Sequence, residues 1–155
     1  MTAKKIYEIG EIPQMGEVPD EMYAWVIRED GLGVPEKAMQ IEKMPVQKPG
    51  KDEVLVMVMA VGINYNNVWA SQGIPISVIG EDTGYHIGGS DASGIVWAVG
   101  DNVKRWKVGD EVIVHCNRDD GDDEECNGGE PMYSKSQKIY GYETNDGSFA
   151  QFTTV

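Results

Sequence analysis

The sequence predicts a mostly β fold, a barrel or a sandwich carrying only short helices. Three observations lead there. Short runs rich in β-branched and aromatic residues recur between Gly, Pro and Asp punctuation. One of them, Glu53 to Val61, is apolar at almost every position, the pattern of a strand covered on both faces. Only Asn64 to Gln72 and a few residues near Val103 to Trp106 have the composition of even short helices, so no strand–helix alternation and no dinucleotide-binding fold can be assembled from these residues.

In chain order, residues 1–20 hold few apolar positions and several Pro, Gly and Glu, and predict an extended arm lying on a partner or on the domain surface. The folded body, residues 21–155, opens with a strand over Met22 to Arg28. Glu53 to Val61 comes next and belongs at the centre of its sheet, then the helix Asn64 to Gln72. Further strands are expected at Gly94 to Val99, Glu111 to His115 and Ser148 to the end. Between the last two, Asp119 to Glu125 is acidic and contains glycine; it reads as a solvated loop, since its spacing lacks the ligand order of a calcium-binding hand. Trp69 and Trp97 are expected in the core. Asp91 comes directly after Gly88-Gly89-Ser90 and is suited to hold that turn by side-chain to backbone hydrogen bonds. His86 and His115, beside a turn and at a strand end, read as structural rather than catalytic.

Composition narrows the function. With 155 residues the chain supports one sizeable core. A net charge of −13, from 13 basic and 26 acidic residues, excludes a nucleic-acid binder, because phosphate neutralisation needs clustered cations. A small anionic ligand is not excluded, provided that a local cationic patch or backbone amides meet it. No apolar run of membrane-spanning length occurs and the N-terminus lacks a signal-peptide core, which points to the cytoplasm and away from membranes. Cys116 and Cys126 fit neither a disulfide framework nor a CxxC motif and read as reduced thiols.

Val99-Gly-Asp-Asn-Val-Lys-Arg-Trp-Lys-Val-Gly-Asp-Glu-Val112 turns twice, at Gly100-Asp101 and Gly109-Asp110, around Trp106. It resembles the hallmark of the medium-chain dehydrogenase/reductase superfamily, with Tyr23 to Ile27 and Glu53 to Val61 standing where that family begins its barrel. The resemblance implies a GroES-like partly open β-barrel with short helices over 21–155, with the family's Rossmann cofactor domain absent from this chain. Where the zinc-dependent members carry a Cys, a His-Glu pair and a four-Cys lobe, this sequence has Asn64, Asp91 and no lobe, so no zinc is expected.

Three segments are similar to the crotonyl-CoA carboxylase/reductase group within the zinc-free branch: Ile63 to Ala70, His86 to Gly94, and Ile139 to Ala150. That resemblance implies an acyl-CoA substrate, NADPH held mainly by the missing Rossmann-domain remainder, hydride delivery to the β-carbon, CO2 capture by the resulting enolate, and a homo-oligomer. The group's CO2 pocket uses an Asn, a Phe, a Glu and a His. The Asn corresponds to Asn66, with a helix N-cap as its structural alternative; the Glu to Glu143; Tyr142 stands in place of the Phe; the His falls beyond Val155. A non-carboxylating enoyl-CoA, acryloyl-CoA or quinone reductase is the alternative enzyme. A GroES-like binding or structural module is the alternative of another class, because fold does not fix function.

Overall fold

In the computed structural model, which describes residues 4–80 and 82–155, the folded body opens at Glu21 with β1 (Glu21–Arg28). A 3₁₀ turn, Glu29–Gly31, and the four-residue α1 (Pro35–Ala38) lead into β2 (Met39–Pro45). Then come β3 (Val54–Val61), α2 (Tyr65–Gln72), β4 (Tyr85–Ile87) and β5 (Ala92–Val99). The chain finishes through β6 (Glu111–Val114), β7 (Asn117–Arg118), β8 (Lys138–Ile139) and β9 (Phe152–Thr154). These form a three-stranded sheet in the order β2-β1-β4, a four-stranded sheet β6-β5-β3-β9 and a β7-β8 ladder. Among the described residues every pairing is antiparallel.

The segment before β9 joins the two larger sheets. The Trp25 N–H donates to the Phe149 carbonyl at 2.7 Å, the Gln151 N–H to the Tyr23 carbonyl at 3.1 Å, and the Val58 N–H to the Gln151 carbonyl at 2.9 Å. The result is the partly open barrel expected from the sequence. Its core holds Met22, Val26, Leu55, Ile87, Trp97 and Phe152, with the Trp97 and Phe152 rings edge to face at 6.4 Å. Burying each side chain of this size stabilises the fold by about 1.5–3 kcal/mol.

β3 is an interior strand, yet only its first half is covered on both faces. Val54 to Met57 are buried, whereas Met59, Ala60 and Val61 are exposed. Met59, Ala60 and Val61 instead line an open apolar cleft. The arm lies against the body: Tyr7 is buried, its hydroxyl donates to Glu17 at 2.5 Å, and the Trp97 indole N–H donates to the Glu17 carbonyl at 2.8 Å.

Several expectations are corrected. Val103 to Trp106 is not helical; it is an irregular stretch between two turns, the first closed by the Val103 N–H on the Gly100 carbonyl and the second by the Asp110 N–H on the Lys107 carbonyl, with the Lys107 N–H on the Asp110 carboxylate. The terminal strand starts at Phe152 rather than Ser148. Trp69 is 41% exposed instead of buried, because Asn67, Ala70 and Ser71 occupy the inward face of α2; its ring meets Tyr65 edge to face on the outer side. α1, β2, β4, β7 and β8 lacked a readable signal, being either two to four residues long or, in β2, a polar-rich strand at the edge of its sheet.

Candidate functional site

α2 starts where β3 ends, and the residue that caps it is Asn64, not Asn66. The Asn64 backbone is extended, and its side-chain carbonyl accepts the Asn66 N–H at 2.9 Å, satisfying one of the unpaired amides at the helix start. Its carboxamide NH2 donates to Ser90 Oγ at 2.8 Å and to the Asp91 carboxylate. Asn67, 4% exposed, donates to the Asn64 carbonyl and accepts the Gly89 N–H at 3.0 Å. The first turn of α2 is thus fastened at two points to the Gly88–Asp91 turn. The Asn66 side chain is half-buried and makes no hydrogen bond among the described residues, which leaves its amide available to a ligand.

The Gly88–Asp91 turn also holds the other predicted segment. The Ser148 and Phe149 N–H groups donate to the Gly89 and Gly88 carbonyls, both at 2.9 Å, and Ser148 Oγ donates to the Asp91 carbonyl at 3.1 Å. Gly141 is pressed against the same turn: a Cβ there would lie 1.9 Å from the Gly89 carbonyl oxygen. Asp91 therefore acts as a turn-holding residue, through its main-chain carbonyl and through Asn64.

Tyr142 is buried among Ile27, Ala70 and Val78. Its hydroxyl donates to the Ile74 carbonyl at 3.2 Å, and burial, seconded by the charge of Glu143, holds its pKa above the ordinary phenol value. Ala70 and Ile74 place Tyr142 by the C-terminal end of α2, whereas Asn66 is in its first turn. Glu143 is placed differently. It is exposed, and its carboxylate accepts the Ile139 N–H at 2.7 Å while its own N–H donates to the Ile139 carbonyl at 2.7 Å. It lies on a cleft of about 1290 Å³ that Tyr142, Asn145, Lys51, Arg118 and Lys138 also line. No hydrogen bond joins Asn66 to Tyr142 or Glu143 among the described residues.

Sequence reasoning missed Asn67, Ser90 and His86 as parts of this assembly. The run Asn64-Tyr-Asn-Asn67 directly after a strand was the available signal for the first two. His86 is fully buried, neither of its ring nitrogens has a hydrogen-bond partner, and burial pushes its pKa down to about 4. Further along the Tyr142 turn, Asp146 accepts from the Tyr85 hydroxyl at 3.1 Å and its pKa is raised by burial. On the far side of the Gly88 turn a second, apolar cleft of about 570 Å³ opens between Trp25, Met39, Ile41, Met59, Ile63 and Phe149.

Among the described residues no group of three or more His, Cys, Asp and Glu is placed to hold a metal ion, and no helix is long and apolar enough to cross a membrane. The residues present do not fit a dinucleotide. No strand among those described pairs in parallel, and the glycines Gly88, Gly89 and Gly94 lead into and lie within β5, where a phosphate-binding turn would open a helix.

Residues 50–155 match the model of the alcohol dehydrogenase GroES-like domain. Over 153 residues, 98% of this chain, the sequence is 65% identical to a crotonyl-CoA carboxylase/reductase of Cereibacter sphaeroides; the chain spans 36% of that relative's length. A solved crotonyl-CoA carboxylase/reductase structure superposes with a TM-score of 0.92 at 65% identity, covering 99% of this chain and 36% of that one. The 2-octenoyl-CoA carboxylase reductase CinF, solved in complex with NADP and 2-octenoyl-CoA, superposes with a TM-score of 0.80 at 35% identity over 89% of this chain and 36% of its own. The antiparallel open barrel, the paired turns around Trp106 and the domain match agree, and the chain belongs to the GroES-like domain family of the medium-chain alcohol dehydrogenases.

Proposed function

We propose that this chain forms the substrate-binding portion of a cytoplasmic, homo-oligomeric, NADPH-dependent enoyl-CoA carboxylase/reductase. The observation that carries the reading is the 65% identity to a crotonyl-CoA carboxylase/reductase across nearly the whole chain. NADPH, held by a dinucleotide-binding domain outside these residues, supplies a hydride to the β-carbon of the enoyl thioester. The fate of the resulting α-carbon enolate depends on the electrophile beside it: CO2 gives the carboxylated product, a proton the reduced one.

Asn66 suits the first outcome. CO2 is apolar with two weak acceptor oxygens, and a half-buried carboxamide with no partner of its own offers a donor at low desolvation cost. Tyr142 supplies a wall rather than a proton, since its hydroxyl is engaged by Ile74 and its pKa is raised; its presence where the family has Phe therefore does not itself favour plain reduction. Glu143, anionic and bound to the Ile139 N–H, holds the turn and would reach CO2 only through a water.

In the full-length protein, Asn66→Ala is expected to lower the ratio of carboxylated to reduced product about fivefold, the worth of one hydrogen bond of about 1 kcal/mol. NADPH oxidation should change less, and Glu143→Ala should act in the same direction. Equal loss of both products, assayed with crotonyl-CoA and bicarbonate, would remove the CO2 role.

The same reading includes zinc independence, supported by Asn64 and Asp91 being hydrogen-bonded to one another at the positions where zinc-dependent members place ligands. Elemental analysis after dialysis is expected to find less than about a tenth of an equivalent of zinc, against the stoichiometric content of a structural site.

A further inference from the structure

The loop that follows α2 is tied to the turn that carries Glu143. The Tyr142 hydroxyl donates to the Ile74 carbonyl at 3.2 Å, Thr83 Oγ1 to Asn145 Oδ1 at 2.9 Å, and the Tyr85 hydroxyl to the Asp146 carboxylate at 3.1 Å. The Ile87 N–H adds a bond to the Asn145 carbonyl at 3.0 Å. Val78, buried, packs with Tyr142 beneath the loop. Residues 74–80 are therefore held against the Tyr142 turn from below and from both sides. Their outer side is apolar. Ile76 and Ile79 line the cleft of about 1290 Å³ to which Tyr142 and Glu143 belong, and Ile76 is 48% exposed. The facing wall is charged, with Lys51, Lys138 and the Arg118–Glu53 ion pair. Ile76 and Ile79 are thus the apolar surface, fixed in advance, that a ligand in this cleft meets on the Glu143 side.

We propose that Ile76 determines acyl-chain specificity: with the reacting carbons of an enoyl thioester between Asn66 and Glu143, a tail longer than that of crotonyl-CoA runs past Tyr142 and lies on Ile76 and Ile79, so that medium-chain 2-enoyl thioesters are substrates as well. Asn66 is in the first turn of α2, and the helix advances about 9 Å from there to Gln72. Ile76 follows that far end, out of reach of a short tail and beside the path of a long one. The second apolar cleft is the competing place for a tail, but neither Asn66, Tyr142 nor Glu143 lines it. The inference deepens the proposed carboxylase/reductase reading and rests on it.

The test measures kcat/KM of the full-length protein for crotonyl-CoA and for trans-2-octenoyl-CoA, with NADPH and bicarbonate present throughout. The parent is expected to oxidise NADPH with both. Ile76→Ala should lower the octenoyl-to-crotonyl ratio of kcat/KM about tenfold, the worth of contact with one to two methylene groups. Most of the change is expected in KM, because the tail is remote from the reacting carbons and is held equally in ground and transition states. Ile76→Leu should restore most of the ratio, and Met59→Ala, in the second apolar cleft, should leave it at the parental value. Since Ile76 is half exposed, these variants keep the core intact.

Equal losses with the two thioesters in Ile76→Ala, or an unchanged ratio, would overturn the proposal. So would a parent that oxidises NADPH with crotonyl-CoA and not with trans-2-octenoyl-CoA, and so would a ratio that moves with Met59→Ala but not with Ile76→Ala, which puts the tail in the other cleft. Oxidation with neither thioester is a different result: it removes the carboxylase/reductase reading itself, and the proposal with it.

Discussion

Gly141→Ala is expected to destabilise the protein by about 4 kcal/mol, which would leave about a sixth of it unfolded near room temperature for a stability of about 5 kcal/mol, the low end of the usual range of about 5–15 kcal/mol. Two costs add. Gly141 has φ +68, and holding an alanine in the left-handed region costs about 1–2 kcal/mol. The new Cβ would also sit 1.9 Å from the Gly89 carbonyl oxygen, a backbone clash that only a shift of the Tyr142 turn or of the Gly88–Asp91 turn can relieve, at about 1–3 kcal/mol. Gly84→Ala is the control: its φ is +65 but nothing lies within 4 Å of the added carbon, so about 1 kcal/mol is expected. Denaturant titration of both variants decides the matter, and equal losses at the two positions would show that Gly141 is not a point of backbone contact. Since the Gly88–Asp91 turn also receives α2 through Asn67, any Gly141→Ala protein that folds should carry a displaced site and a changed product ratio.

The 155-residue chain is expected to bind NADPH with Kd weaker than about 1 mM, at least a thousandfold above a micromolar coenzyme site and so a difference of about 4 kcal/mol. A dinucleotide site needs a parallel strand–turn–helix unit whose helix N-terminus faces the pyrophosphate, and the described strands pair only antiparallel. The two α-helices among the described residues are four and eight residues long, and the longer one opens on Asn64, whose carboxamide already occupies the Asn66 amide. The excess of acidic residues further disfavours a polyanionic ligand. Calorimetric titration measures this directly, and micromolar binding by this chain alone would force a different account of how hydride chemistry is housed. Addition of a polypeptide carrying the cofactor domain should restore binding, with Asn66 and Tyr142 on one wall of the cleft between the two.

The strands β1, β3, β5 and β6 and the helix α2 were legible because each carries a local signal: apolar runs, alternation, or an Asn before a helix-forming stretch. The paired turns around Trp106 identified the fold for the same reason, as Gly and Asp set backbone geometry locally. Candidate site residues were legible as types, and less so as partners. Asn64 and Asn66 are indistinguishable in sequence, and only the extended backbone of Asn64, with the Ser90 and Asp91 acceptors beside it, decides which one caps the helix and which is left for a ligand. Glu143 and Tyr142 are neighbours in sequence, yet one is exposed and closes its own turn while the other is buried on α2.

By itself, then, the sequence determined the β-rich class, the family of the fold, the interior place of β3 and the list of polar residues near the site, because those arise from periodicity and turn chemistry along the chain. The tertiary structure alone decided that half of β3 is left uncovered, that Trp69 faces outward, that His86 is fully buried, and that the Gly88–Asp91 turn is bonded both to the start of α2 and to Ser148 and Phe149. Each of these depends on which distant backbone arrives against a residue, as Gly89 does against Gly141 across 52 positions of chain, and that information is carried by the closed set of long-range contacts rather than by any local stretch of residues.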